Sequence, residues 1–185
     1  MKVRRVVTGY SPEGRSIVIN DTREEGTSAI LFPGMEIHQL WGADAIPTVP
    51  DAGYGPSFVN YYPPTGGFRF GLFTVPPASD VGLTETELLR GRTELQQKWP
   101  DMLAVIDADD PRMHRTDTVD FAYVISGEVW LELDDGKMTR LSAGDTVIQN
   151  GTRHAWRNLG SEPCRLLFCL VGAQRNSDQK DDNGV

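Results

Sequence analysis

Residues 114–158 read HRTDTVDFAYVISGEVWLELDDGKMTRLSAGDTVIQNGTRHAWRN, and this stretch decides the fold. Ala122 to Ile125 and Glu128 to Leu133 are short runs rich in β-branched and aromatic residues, separated by Ser126-Gly127. Asp134-Asp135-Gly136 is a hairpin signal, because glycine tolerates the positive φ that tight hairpin turns require. Lys137 to Leu141, Thr146 to Gln149 and His154 to Asn158 follow, divided by the turns Ser142-Ala143-Gly144-Asp145 and Asn150-Gly151. Arg165 to Val171 completes the set. Many short strands with turn chemistry between them predict a sandwich or barrel.

Further toward the N-terminus the reading stays mostly β. Arg4 to Thr8 and Ser16 to Asn20 are predicted strands joined by Ser11-Pro12-Glu13-Gly14, and Glu36 to Trp41 and Phe68 to Val75 are two more. Residues 42–67 carry Pro47, Pro50, Pro56, Pro63 and Pro64 with five glycines. A structureless run of that length is expected to serve as a lid, a subunit arm or a flexible segment. Thr84-x-x-Glu87 is a capping box, which satisfies two orphan backbone N–H groups at a helix start. Leu88, Leu95, Trp99 and Leu103 then recur at helical spacing, and Pro100 is expected to break the helix. Residues 107–110 read as a solvated acidic loop. One domain is predicted over 1–175: N-terminal strands and the Pro/Gly-rich loop in 1–80, a helical insert at 84–106, and motif-bearing barrel strands at 112–171. The polar tail 176–185 is expected to be disordered.

Composition narrows the function. A chain of 185 residues, 39% hydrophobic and 24% charged, is an ordinary globule. Its formal charge of −8 argues against nucleic-acid and anionic-membrane partners, which need a basic face. The nearly apolar run from Leu166 to Ala173 is far shorter than the ~18 residues of a membrane span. The basic N-terminus lacks a following apolar stretch of signal-peptide length. Cys164 and Cys169 lie five apart in a predicted strand, so they point to opposite faces and read as reduced core residues. Together these features predict a cytoplasmic protein.

The chain has three histidines, His38, His114 and His154. Strand alternation would put Arg112, His114 and Thr116 on one face, and His154, Trp156 and Asn158 on another. If both faces look into a barrel, two imidazoles converge there. His38 falls outside this pair and reads as an ordinary, partly buried histidine.

The segment resembles the cupin superfamily, small β-barrels recognised by two motifs. The first, G-x5-H-x-H-x3,4-E-x6-G, is matched by His114, Thr116, Asp120 and Gly127. The second, G-x5-P-x-G-x2-H-x3-N, is matched by Gly144, Gln149, Gly151, His154 and Asn158. The resemblance implies a mainly β, double-stranded β-helix barrel of jelly-roll type, with N-terminal strands and one short helical insert. It also implies a ligand set of His114, Asp120 and His154 for a divalent metal (Fe, Zn, Mn or Ni). Thr116 replaces the second motif-one histidine, Asp120 the glutamate, Ala108 the leading glycine and Gln149 the proline. Loss of an imidazole and of one methylene weakens such a centre, since ligand distances tolerate only ~0.2 Å.

Two functions follow. In the first the chain is a cupin-type enzyme with a metal on His114, Asp120 and His154. It acts on a small organic acid or an aromatic or carbonyl compound, as a dioxygenase, decarboxylase or isomerase/lyase. His114 and His154 are then the catalytic pair, with Thr116, Gln149 and Trp156 binding substrate. In the second it is a metal-free module that binds a small ligand. A metal-free acid–base enzyme, with either imidazole as base, lies between them. The blander readings are two neutral imidazoles lining a barrel, Asp120 paired with Arg112 or Arg115, Thr116 and Gln149 satisfying each other, and Trp156 as packing. Exposed sheet edges and N-terminal strands predict a homodimer.

Overall fold

The computed structural model describes residues 2–51, 55, 58, 60–79, 82–107 and 109–176. Ala108 and residues 177–185, to which the leading-glycine comparison and most of the expected disordered tail refer, lie outside them. The described chain is mainly β, with one α-helix. The strands are β1 (Val3–Tyr10), β2 (Ser16–Glu24), β3 (Thr27–Ala29), β4 (Phe32–Ala43), β5 (Phe68–Val75), β6 (Thr118–Ser126), β7 (Glu128–Glu132), β8 (Met138–Ser142), β9 (Thr146–Asn150), β10 (Ala155–Arg157) and β11 (Cys164–Gly172). Helix α1 spans Glu85–Lys98 and is followed by a 3-10 turn, Met102–Val105.

The strands form three antiparallel sheets: a β1–β2 hairpin, a three-stranded sheet ordered β10-β7-β8, and a six-stranded sheet ordered β3-β4-β5-β11-β6-β9. This is the mainly β, cupin-type jelly roll that the resemblance implies. Its sheets face one another without joining into one hydrogen-bonded barrel. Turn chemistry sets the corners. Gly127, which closes the first motif, has φ 77°, and a Cβ there would meet the Pro163 carbonyl at 2.6 Å. Only glycine fits that combination of left-handed backbone and close approach.

Two apolar clusters fill the interior. Val75, Ala122, Val124, Val129, Leu131, Leu141, Cys164 and Leu166 pack between the six-stranded and three-stranded sheets. Ile37, Phe168 and Leu170 pack with Tyr61, Leu95, Trp99 and Met102. Helix α1 therefore seals one end of the large sheet. Thr84 and Glu87 form the capping box, and Trp99 ends the helix with its N–H on the Leu95 carbonyl at 2.7 Å, just before Pro100. Leu95 and Trp99 are buried as the spacing predicts, whereas Leu88 faces solvent because no sheet lies on its side.

Most of the long loop between β4 and β5 that is described is tied down. The buried Arg69 guanidinium bonds the carbonyls of Ala43, Asn60 and Phe68 and pairs with Asp44 at 2.5 Å. Asp101 accepts the backbone N–H groups of Tyr61 and Tyr62, both at 2.7 Å. These bonds press two aromatic rings onto the inner face of the large sheet. Tyr61 meets Trp99 edge-on at 5.8 Å and lies 6.3 Å from Phe168. Cys164 and Cys169 are both free thiols, the first buried and the second partly so, on opposite faces of β11.

Candidate active site

The segment before β6 is not the alternating strand expected around His114. Met113 is buried and His114 half-buried, while Arg112 is exposed and pairs with Asp110. His114 belongs instead to an isolated antiparallel bridge with His154. The N–H of each residue donates to the carbonyl of the other, both at 2.9 Å. This reciprocal pairing sets the two imidazoles side by side, with ring centroids 4.2 Å apart and planes tilted by 50°.

The surroundings settle the tautomer of His154. Its Nδ1 lies 3.0 Å from the Thr152 carbonyl, which can only accept, so Nδ1 carries the hydrogen. The same carbonyl takes a second hydrogen bond from the Gln149 amide at 3.2 Å, and that amide also reaches the Thr152 hydroxyl. Nε2 is therefore left with its lone pair. Burial lowers the pKa of His154 against the opposing pull of the Thr152 carbonyl. Burial and the neighbouring His154 push His114 down to about 3. Both rings are neutral at pH 7.

Trp156, the third residue of this group, meets His154 edge-on at 5.9 Å and Phe73 at 5.8 Å. It both packs the interior and walls the imidazole. Asn158, also fully buried, is structural: its amide donates to the carbonyls of Val75 and Glu162 and its oxygen accepts from the Gly160 N–H. Thr116 and Gln149 do not satisfy one another. Thr116 pairs with Thr118 at 2.7 Å, because the chain turns at residues 116–118 and brings those hydroxyls together, while Gln149 is committed to Thr152.

Asp120 sits in β6 opposite Leu170 of β11 and Gln149 of β9. Cross-strand partners share a face, so its carboxylate lies on the inner side of the sheet. It does not pair with Arg112. Its buried Oδ1 has no hydrogen-bond partner among the described residues. Burial, only partly offset by Thr118, raises Asp120 to about 6. Its charge acts on Tyr61 and Tyr62, both of which it raises, whereas burial, the partner ring and Thr152 account for the two imidazoles. The structure thus brings His114 and His154 together and sets Asp120 opposite Leu170, which packs in the cluster that holds Tyr61.

These positions bear on metal binding. Among the described residues no group of three His, Cys, Asp or Glu side chains is arranged to hold a metal ion. The residues as they stand therefore do not fit a three-ligand centre, and no step is routed through one. His38, fully buried in β4, pairs in register with Leu72 rather than with the strands that carry the other histidines.

Sequence reasoning missed several contributors. The acidic loop is not simply solvated: Arg153 joins Asp107 at 2.7 Å and Asp134 at 3.0 Å, which clamps the residue beside His154 to the loop preceding His114. That guanidinium holds Asp107 down at about 2. Tyr61, Tyr62 and Arg69 carry no motif, and only tertiary packing reveals them. A surface groove of about 470 Å³ lined by Ile30, Leu89 and Arg90 runs along α1, away from all of these groups.

With this geometry in place, comparison with known proteins agrees on the class. The Cupin_2 cupin-domain model matches residues 104–170, so the chain carries a cupin domain over that segment, which includes both histidines of the bridge. Over 66 residues it is 49% identical to the oryzines biosynthesis cluster protein J of Aspergillus oryzae, which is 35% of this chain and 37% of that protein. Over 62 residues it is 36% identical to the cupin-domain-containing oxidoreductase virC of Hypocrea virens, 32% of each chain. The matches thus span about a third of the length of these relatives. The Cnp3 cupin domain of Schizosaccharomyces pombe aligns over 93% of this chain and 89% of its own at 9% identity, with a TM-score of 0.47. No helix among the described residues is long and apolar enough to cross a membrane.

Proposed function

We propose that this chain is a cupin-domain enzyme that moves a proton on a small aromatic or carbonyl compound, using the His114–His154 pair without a metal. The observation that carries the reading is the reciprocal bridge that holds the two neutral imidazoles, with Nδ1 of His154 committed to Thr152 and Nε2 left bare. A neutral ring in that tautomer accepts a hydrogen bond or a proton from substrate at Nε2. Gln149 acts through Thr152 to keep the tautomer, and Trp156 walls the ring from water. Thr116 acts with Thr118 to hold Asp120. The likeness to a biosynthesis cluster protein and to a cupin-domain oxidoreductase supports small-molecule chemistry over a purely structural role.

The test is exchange of the methyl hydrogens of 4-hydroxyacetophenone in D2O, followed by NMR, with chelator-treated protein. The expected result is catalysed exchange that His154→Gln reduces at least tenfold. Exchange no faster than in buffer rejects the reading.

A second reading keeps a divalent ion (Fe, Zn, Mn or Ni) on His114 and His154, with Asp120 swinging in as third ligand. The close approach of the rings and the unpartnered Asp120 Oδ1 favour it. Elemental analysis showing near-stoichiometric metal that His154→Ala removes would support this alternative. We further propose a homodimer, because Phe121, Tyr123, Ile125 and Ile148 leave apolar surface exposed on β6 and β9. A monomeric mass by light scattering at micromolar concentration contradicts the dimer.

A further inference from the structure

Asp120 is the one carboxylate of β6, on its inner face. The Thr118 hydroxyl, 2.7 Å from that of Thr116, only partly offsets the effect of burial on it. Oδ1 is buried and has no hydrogen-bond partner among the described residues. A buried acceptor left unsatisfied costs folding free energy, and such groups in native structures point to strain or to an absent ligand. The backbone here shows no compensating distortion: Asp120 lies in regular register between Leu170 and Gln149.

What surrounds the orphan oxygen indicates what would fill it. Leu170, the cross-strand neighbour of Asp120, packs in one cluster with Tyr61 and Trp99, and Tyr62, held like Tyr61 by Asp101, packs against that cluster. Tyr61 stacks edge-on against Tyr62 at 4.9 Å and against Trp99 at 5.8 Å. An acceptor at the base of an aromatic surround suits a ring that bears a hydrogen-bond donor.

The geometry points to Asp120 as the substrate-anchoring residue of this site, whose Oδ1 accepts the hydrogen of a hydroxyl on an aromatic ligand. This deepens the proposed function, on which it rests, by naming the substrate class as hydroxylated aromatic compounds. A site built to accept a substrate hydroxyl rejects the analogue that lacks it far more strongly than an apolar pocket would. Asp120 thereby acts in binding, separately from the imidazole pair.

The experiment measures Kd for 4-hydroxyacetophenone and 4-methoxyacetophenone by ligand-observed NMR, with wild-type protein, Asp120→Leu, Asp120→Asn and His154→Gln. The wild type is expected to prefer the hydroxyl compound at least tenfold. Asp120→Leu is expected to bring the two within twofold, and Asp120→Asn, which keeps a weaker acceptor, to reduce the preference at least threefold. His154→Gln is expected to keep the preference. Wild-type exchange no faster than in buffer, with the hydroxyl preference intact, thus sinks the proton-transfer reading alone. The anchoring role is overturned by equal wild-type affinities, by no binding of either compound at millimolar concentration, or by a preference that survives in Asp120→Leu. Should Asp120→Leu not fold, an unchanged preference in Asp120→Asn overturns it equally.

Discussion

His114 and His154, forty residues apart, exchange backbone hydrogen bonds of 2.9 Å in both directions, so neither imidazole is free to drift from the other. Their alignment is a property of the main chain, and the ring chemistry is superimposed on it. Replacing either side chain should leave the bridge intact. His154→Gln is therefore expected to retain a melting temperature within a few degrees of wild type while it loses proton exchange. Calorimetry and the exchange assay together check this.

Asp120 gives a pH dependence with a definite sign. Its folded value of about 6 exceeds the ordinary 3.8, so the native state binds more protons between those values. Stability is lost as pH rises from about 4 to about 6, and levels off above. Two units correspond to about 3 kcal/mol as an upper bound. Asp120→Asn should remove this loss, so its stability relative to wild type should grow over that interval. Urea titrations at several pH values measure it.

His114 acts in the opposite sense. Its value near 3 lies below that of the unfolded chain, which therefore binds more protons as pH falls from about 6.5 to about 3. Stability is full above that window and declines through it, with a slope of up to about 1.4 kcal/mol per pH unit. His114→Phe should flatten the acid limb of the stability curve, read by the same titrations.

The helix that seals the large sheet supplies a packing test. Leu95 is fully buried in the aromatic cluster. Leu95→Ala is expected to cost about 2–5 kcal/mol, the range for a buried leucine that leaves a cavity. Thr84→Ala, which breaks the capping box, should cost about 1 kcal/mol. Denaturant midpoints separate the two.

Local chemistry made most of the fold readable. Turn residues such as Gly127 and Gly144 take positive φ where the motif spacing puts them, and the Thr84–Glu87 box starts α1 where expected. The pairing of His114 with His154 was also foreseeable from the motif order. Alternation failed between Arg112 and Thr116 because that stretch joins only two isolated bridges, from His114 to Ile106 and to His154, and a period of two needs a continuous ladder. Thr116 and Gln149 take partners two and three residues along the chain, Thr118 and Thr152, which strand alternation does not anticipate, whereas the inner-face setting of Asp120 depends on its pairing with β9 and β11. Tyr61 and Tyr62 reach the cluster around Leu170 through a loop held by Asp101, forty residues away from Tyr61.

The tautomer of His154 is the most direct test of the account. Long-range 1H–15N correlation spectra at pH 7, with imidazole-labelled protein and single-histidine substitutions for assignment, report it without any substrate. The prediction is a neutral ring protonated at Nδ1 and bare at Nε2, beside a neutral His114. A His154 protonated at Nε2, or an imidazolium on either residue, would contradict it.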